Sequence, residues 1–447
     1  MLAAIVKAYD VRGLVDGQLT PELVHDLGTA AAETLADGGP FVLAHDMRPS
    51  SPVLVAAFAE GLQGQGVDVI DLGLASTDLL YYASGVLDAP GAMFTASHNP
   101  AGYNGIKLCR RGAVPVAIDT GLGELRDRVL AGVPGPRPTG ERGGREQRDL
   151  LDDFAAHVRS FVDVDALRPV EVAVDAGNGM AGHVWPAVVD GLPIATTALF
   201  FELDGSFPNH PANPLEPANL VDLQRVVRAG GHALGLAFDG DADRVFAVDE
   251  TGAPVASALV GAVVADRLLA RHPGATVLHN LICSRVVPET VRAAGGTPVR
   301  TRVGHSFIKR RMAETDAIYA VEHSGHFYFR DHYRADSGLV AALVLLEAVA
   351  AADAPLSEVV APYDRYPSSG ELNYEVEDAA AAVETVATAF ADRGEADRED
   401  GLTVVTPTGW FNLRPSNTEP LLRLNVEGDD LDAMTRLRDE VADLVAG

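Results

Sequence analysis

The stretch LGLAFDGDADR, residues 234–244, decides how this chain is read. A short apolar run passes directly into a cluster containing Asp239, Asp241 and Asp243. A run of this kind, bounded by polar residues, predicts a buried strand that ends in a loop. The same design recurs in AMFTASHNP (92–100) and IYAVEHSGH (318–326). Each is preceded by a strand-like run, a helix-like stretch and a second strand-like run. The first set is FVLAHD (41–46), a helix around 50–65 and VDVIDLG (67–73). The second is EVAVDA (171–176), a helix near 181–190 and IATTALFF (194–201). The third is TVLHNLICS (276–284), a helix near 286–294 and TPVRTRVG (297–304). Each set reads as a βαβ unit. Ligands of open α/β sheets bind beyond the carboxyl ends of the strands, so three such domains could aim three strand-end loops into one crevice.

The chain has 447 residues, a length that suggests about three or four domains. Boundaries are expected in AGVPGPRPTGERGGREQR (131–148), near Asp249–Gly252 and in APYDRYPSSG (361–370). The first and last are rich in the turn residues typical of linkers. The resulting division is 1–145, 146–250, 251–364 and 365–447, three α/β domains with mixed sheets and a smaller α+β domain around a central cleft. The last segment differs in pattern. ELNYEVE (371–377), GLTVVT (401–406), GWFNLRPS (409–416) and LLRLNVEG (421–428) read as strands, with helices over 378–393 and 431–445. Between the last two strands lies the donor-rich loop RPSNTE (414–419).

Composition narrows the function. Hydrophobic residues make up 47%, which indicates a globular chain. No apolar run approaches the roughly 18 residues of a membrane span, and MLAAIVKAYD reaches charge too early for a signal peptide. Two cysteines, Cys109 and Cys283, cannot make a disulfide framework, which places the protein in a reducing cytoplasm. The net charge of −28 argues against nucleic acid or an anionic membrane as partner. An anionic substrate would have to meet cations gathered locally.

DGDADR (239–244) carries the strongest local signal. Three carboxylates at alternate positions suit a hard divalent cation, and Mg²⁺ commonly combines a few carboxylates with phosphate oxygens. Glu250 falls where an EF-hand would have its twelfth residue. Arg244 replaces the glycine such a loop needs at its sixth, and the flanks are strands rather than helices, so an EF-hand is rejected. GNGMAG (177–182) matches G-x-G-x-x-G between a strand and a helix, which leaves open a nucleotide-linked oxidoreductase; the alternative is a tight turn. In TASHNP (95–100), Ser97 is either a catalytic serine or a turn residue. On an extended segment Ser97 and His98 would point to opposite faces, making His98 a poor base for Ser97. Lys107, His305 and Lys309 follow turns, and cations of this kind suit phosphate. Glu322, Ser324 and His326 end the third apolar run; Glu322 could accept sugar hydroxyls or bind metal. Together these features favour phosphoryl chemistry on a small polyhydroxy substrate.

AYDVRG (8–13), TASHNP, DGDADR, VEHSGH (321–326) and RPSNTEP (414–420) occur in the order found in the α-D-phosphohexomutase superfamily. From about residue 7 onward the chain resembles that family, and the phosphomannomutase/phosphoglucomutase group within it. The resemblance implies a four-domain fold around a deep cleft, and a mutase that interconverts mannose 6-phosphate and mannose 1-phosphate, with glucose phosphates as further substrates. It implies a phosphorylated Ser97, and Mg²⁺ held by Asp239, Asp241, Asp243 and the phosphoserine. Glu322 and Ser324 would read the sugar; Arg414, Ser416, Asn417 and Thr418 would anchor phosphate, and His98 and Lys309 would also contact substrate. Arg12, Lys107, Arg244, His305 and His326 would line the reacting centre, with Lys107 and the histidines as acid/base candidates. A hexose 1,6-bisphosphate would be intermediate and activator, and the enzyme a cytoplasmic monomer or homodimer. The rivals are a phosphoglucosamine mutase and, from other classes, an NAD-dependent oxidoreductase or a non-catalytic sugar-phosphate binder. Two positions depart from the family pattern. Ala242 stands where glycine is frequent, which is tolerable only without a positive φ, and Val321 precedes Glu322 where glycine is usual.

Overall fold

The computed structural model describes residues 2–415 and 421–446. The chain divides into two compact units, Met1–Val260 with Ser324–Val359, and Gly261–His323 with Val360–Gly447.

One strand arrangement occurs three times. In the first unit, Phe41–His45 runs parallel between Val69–Leu74 and Gly91–Phe94. Also in that unit, Val170–Asp175 runs parallel between Ile194–Leu199 and Leu234–Phe238. In the second unit, Thr276–Asn280 runs parallel between Thr297–Thr301 and Tyr319–Val321. The cause lies in the sequence. Residues of Phe41–Ala44 and Leu234–Phe238 are buried throughout, the near-continuous apolar pattern of strands covered on both faces. Helices Ser51–Gly64, Ala181–Val189 and Val286–Ala293 supply the parallel crossovers. Each third strand therefore lies beside the first, and its polar cluster emerges at the carboxyl end of the sheet.

Antiparallel strands make the sheets mixed. Tyr103–Arg110 pairs with both Gly91–Phe94 and Val11–Leu14, and Val245–Asp249 pairs with Leu234–Phe238. Helix Gly338–Ala352 is apolar almost all round and buried, as such helices must be. Its single charge, Glu347, accepts the backbone N–H of Asp163 at 2.9 Å. In the second unit the C-terminal sheet is antiparallel, ordered Ser368–Tyr374, Leu422–Gly428, Gly409–Pro415, Leu402–Thr406, Glu395–Asp397. Helices Ala379–Ala389 and Leu431–Ala446 cover it through Val386, Phe390 and Val441.

Two strands are shorter than their apolar runs suggest. The run 276–284 leaves the sheet after Asn280, and Leu281 and Ile282 pack instead on Trp410 and Val303. The run 194–201 stops at Leu199 because Phe200 takes a positive φ of 53°.

Candidate active site

In the first unit, strand-end loops bring Ser97 against the aspartate cluster. Residues 95–100 are a turn, not an extended segment, and Ser97 adopts a φ of 50°. Its Oγ donates to Asp239 Oδ2 at 2.6 Å. The same turn leaves Ser97 Oγ 3.2 Å from His98 Nδ1. The expectation that the two side chains point apart is thus corrected, because it assumed a strand geometry the loop does not have. Gly240 permits the approach of the two loops. A Cβ there would lie 2.4 Å from the Ser97 carbonyl oxygen, well inside contact distance. Ala242, in contrast, is a correction. It has a φ of 63°, so the loop does require the left-handed region at this alanine, at a cost of roughly 1–2 kcal/mol.

Asp239, Asp241 and Asp243 are all buried, and each offers a carboxylate oxygen within 4.8 Å of the others. Thr77 Oγ1 donates to Asp241 Oδ2 at 2.6 Å, and the Thr77 N–H donates to the Asp241 carbonyl at 3.1 Å. Lys107 Nζ donates to Asp241 at 2.7 Å and to Asp243 at 2.5 Å. Asp241 Oδ1 and Asp243 Oδ1 remain buried without a hydrogen-bond partner among the described residues. Orphaned carboxylate oxygens are costly in a protein interior. Three converging carboxylates with two such oxygens fit a hard divalent cation. Glu250, the twelfth residue counted from Asp239, turns away to the Ser357 hydroxyl and N–H, as rejection of the EF-hand requires.

Cations surround this cluster. Arg244 donates from Nε and Nη2 to Asp239 Oδ2 at 3.0 and 2.8 Å, and from Nη2 to Ser97 Oγ at 3.3 Å and His98 Nδ1 at 2.5 Å. Arg12 donates to Asn99 Oδ1 at 2.8 Å and to Asp10 at 2.6 Å. A backbone bridge between Arg244 and His326 sets His326 beside the cluster, where its Nδ1 lies 2.9 Å from Asp336 Oδ2 and 3.9 Å from Asp243 Oδ1.

This environment sorts the protonation states. Burial, then the charges of Arg244 and Arg12, lower the His98 pKa well below its usual value, so the ring is neutral and Nδ1 accepts. Burial also opposes charge on Lys107, but Asp241 and Asp243 outweigh it and hold the ammonium proton firmly. His326 is likewise raised: burial works against its charge, and Asp243 and Asp336 prevail. Burial pushes Asp243 upward, and the Asp241 carboxylate adds to it. Like charges this close favour either a shared proton or a bound cation.

The second unit holds the other candidates. Glu322 is buried at the end of Tyr319–Val321 and accepts the Gly304 N–H at 3.1 Å. Asn280 approaches both Glu322, at 3.5 Å, and His323, at 3.2 Å. Val321 is a buried strand residue outside the positive-φ region, so the missing glycine leaves the strand intact. His305 opens helix His305–Thr315 and Lys309 follows one turn later on the same side. Buried Arg414 meets Glu371 at 3.4 Å, and Arg423 meets Glu371 at 3.2 Å. Arg414 Nε has no hydrogen-bond partner among the described residues, an available donor for an anion. Ser416, Asn417 and Thr418 lie outside the described residues. Ser324 belongs to the first unit and Glu322 to the second.

In GNGMAG the second glycine, the one that lets a pyrophosphate approach in dinucleotide-binding turns, faces protein backbone. A Cβ at Gly182 would lie 2.3 Å from the Phe201 carbonyl, and one at Gly179 2.7 Å from the Gly240 carbonyl. These glycines let protein backbone, rather than a pyrophosphate, approach. Sequence reasoning missed several residues beside these candidates: Arg48, Asp46, Thr77 and Asp336 in the first unit, and Glu371 in the second. HDMRPSS (45–51) could have exposed two of them, since it is another polar cluster at a strand end.

Known family models match nearly the whole chain. The phosphoglucomutase/phosphomannomutase models match domain by domain: alpha/beta/alpha domain I at residues 3–128, domain II at 152–252, domain III at 258–366 and the C-terminal domain at 371–444. The chain belongs to the phosphoglucomutase/phosphomannomutase family, and is a phosphohexomutase, an intramolecular phosphotransferase. It is 41% identical over 447 residues to a protein of Xanthomonas campestris pv. campestris named "Phosphohexose mutases", covering 99% of each chain. It is 39% identical over 450 residues to a phosphomannomutase of Salmonella montevideo, covering 98% of each. A phosphoglucomutase/phosphomannomutase family protein of Burkholderia thailandensis has the same fold, with a TM-score of 0.90, 33% identity and coverage of 99% of this chain and 97% of that one. The fold class is therefore three alpha/beta/alpha domains and a C-terminal domain. No helix among the described residues is long and apolar enough to cross a membrane.

Proposed function

We propose that this phosphohexomutase acts on mannose phosphates, interconverting the 6- and 1-phosphates, with glucose phosphates as further substrates. Phosphate is carried on Ser97, and a hexose 1,6-bisphosphate is the intermediate. The observation that carries this reading is the 2.6 Å hydrogen bond from Ser97 Oγ to Asp239, at the edge of the three-aspartate cluster. The naming of the Salmonella relative supports mannose. Asp239, Asp241 and Asp243, with a phosphate oxygen on Ser97, would hold Mg²⁺. Such an ion, when bound, neutralises charge on the phosphoryl oxygens.

The residues divide the rest of the work. A sugar hydroxyl bonds to phosphorus as the bond from phosphorus to Ser97 Oγ breaks. Arg244, already within reach of Oγ, stabilises the oxygen left behind. The hydroxyl proton passes to a base. Lys107 is protonated while Asp241 and Asp243 face it; released from those carboxylates, it can give up its proton and serve. His326, held charged by Asp243 and Asp336, suits proton donation. The bisphosphate then turns over and returns its other phosphate to Ser97. Glu322 and Ser324 hold sugar hydroxyls, and Arg414 holds the phosphate that is not reacting. The enzyme works in the cytoplasm, where Cys109 and Cys283 stay reduced.

The deciding experiment assays mannose, glucose and glucosamine phosphates in parallel, each with a trace of its 1,6-bisphosphate. Mannose phosphate should give the highest kcat/KM; a preference for glucosamine phosphate would instead make the chain a phosphoglucosamine mutase. A further expected result concerns the anchor. Arg414→Ala should weaken sugar-phosphate binding by roughly 1.5–3 kcal/mol, the scale of a charge-assisted bond. Calorimetric affinity equal to wild type would remove Arg414 from the anchor.

A further inference from the structure

Arg48 is almost wholly inaccessible to solvent, at 1% exposure, and only one of its guanidinium partners, Asp46, is charged. Its Nη1 donates to the carbonyls of Pro100 at 2.9 Å and Tyr103 at 3.0 Å. Its Nη2 donates to the carbonyls of Ser97 at 2.9 Å and Asn99 at 2.6 Å. Its Nε donates to Asp46 Oδ2 at 3.2 Å, and Asp46 Oδ1 accepts the Arg48 N–H and the Ser51 hydroxyl. All five guanidinium N–H groups therefore point at a small set of oxygens, four of them backbone carbonyls of one seven-residue stretch, 97–103. The Phe207 ring closes the site, 5.0 Å from the guanidinium carbon.

The stretch so gripped needs a grip. Ser97 occupies the left-handed region, costly for a serine. The Pro100 carbonyl also accepts the Tyr103 N–H at 3.0 Å; for the carbonyls of Ser97, Asn99 and Tyr103 the guanidinium supplies the donor that a buried carbonyl needs. No regular backbone ladder holds residues 97–102. A single rigid fork, unlike an ammonium, can satisfy several carbonyls in fixed directions.

We infer that Arg48 is a positioning residue for the phosphoryl-transfer step: it fixes the backbone turn that aims Ser97 Oγ at the aspartate cluster. It touches neither Ser97 Oγ nor the aspartates of the cluster, and acts through the loop. The inference rests on Ser97 as the phosphate carrier. Misplacement of a reacting atom by about 1 Å can lower a rate by about 100-fold, so an arginine remote from the chemistry can govern it.

The test compares wild type, Arg48→Lys, Arg48→Ala and Phe207→Leu, each first checked for folding by circular dichroism and thermal melting. Two rates are read: transfer of phosphate from glucose 1,6-bisphosphate to Ser97, followed by intact mass, and steady-state turnover. Folded Arg48→Lys should lose about 100-fold in kcat and in the rate of Ser97 phosphorylation, with KM within about threefold. In Arg48→Ala, millimolar guanidinium should restore part of kcat, which a merely structural lesion would not allow. Phe207→Leu should lose severalfold in kcat at an unchanged melting temperature. A folded Arg48→Lys with wild-type kcat and phosphorylation rate would overturn the inference. If neither arginine variant folds, Phe207→Leu decides alone, and wild-type kcat there is the overturning result. Failure of the carrier reading looks different: wild type itself would then take no phosphate on Ser97.

Discussion

Ser97→Ala should abolish mutase turnover, by on the order of 10⁴-fold or more, while a sugar phosphate still binds within a few-fold of wild type. The loss should be this large because, in the proposed mechanism, the residue carries the transferred group, and the hydroxyls of Thr77 and Thr95 nearby are already engaged. Thr95, the nearest candidate in sequence, already accepts the Ser97 N–H through its own Oγ1 at 2.9 Å. The substitution removes one hydroxyl from a buried loop and leaves the grip of Arg48 on the carbonyls intact, so the fold should survive. Coupled assay of mannose 1-phosphate formation, with binding followed by calorimetry, separates the two effects. Retention of turnover above about one per cent would end the carrier mechanism.

The second large effect concerns the carboxylates. Chelation should stop turnover and added Mg²⁺ should restore it. Asp241→Asn should lose several kcal/mol of transition-state stabilisation, on the order of 10³-fold in kcat, and should resist rescue by Mg²⁺. Asp241 is the informative member because it also holds Thr77 and Lys107. Its loss leaves Lys107 with Asp243 as its hydrogen-bonded partner, so the half-buried ammonium keeps a counter-charge and the protein should still fold. Undiminished turnover in excess chelator would contradict the assignment of a metal to this cluster.

Much of this architecture was legible in the sequence because the physics is local. Runs such as FVLAHD and LGLAF are apolar without alternation, and only a strand covered on both faces explains that. The repeated order of strand, helix, strand and polar cluster followed from the same signal. The aspartate cluster was legible because like charges at alternate positions demand a compensating cation. What stayed hidden was dihedral and long-range. Nothing in TASHNP discloses the positive φ of Ser97 that brings His98 to the same side. Alanine at 242 argued for an ordinary conformation, whereas the loop imposes a left-handed one. Arg48 contacts carbonyls 49 to 55 residues further along the chain, and carbonyls carry no sequence signature. Glu371 sits on a strand edge whose partners become apparent only once the antiparallel register is known.

The pairing of Arg414 and Arg423 with Glu371 bears on how tightly an anion can dwell. Burial alone would raise the Glu371 carboxyl; His323, Arg423 and Arg414 outweigh it and hold it at about 2. The carboxylate is therefore a standing internal competitor at every physiological pH. In the anchoring role proposed for Arg414, an arriving phosphate displaces a rival rather than filling a naked positive hollow, and a departing one is replaced at once. Affinity is thereby moderated and dissociation hastened, a useful trait where a single ligand must let go midway, reverse itself and be caught again by its opposite end.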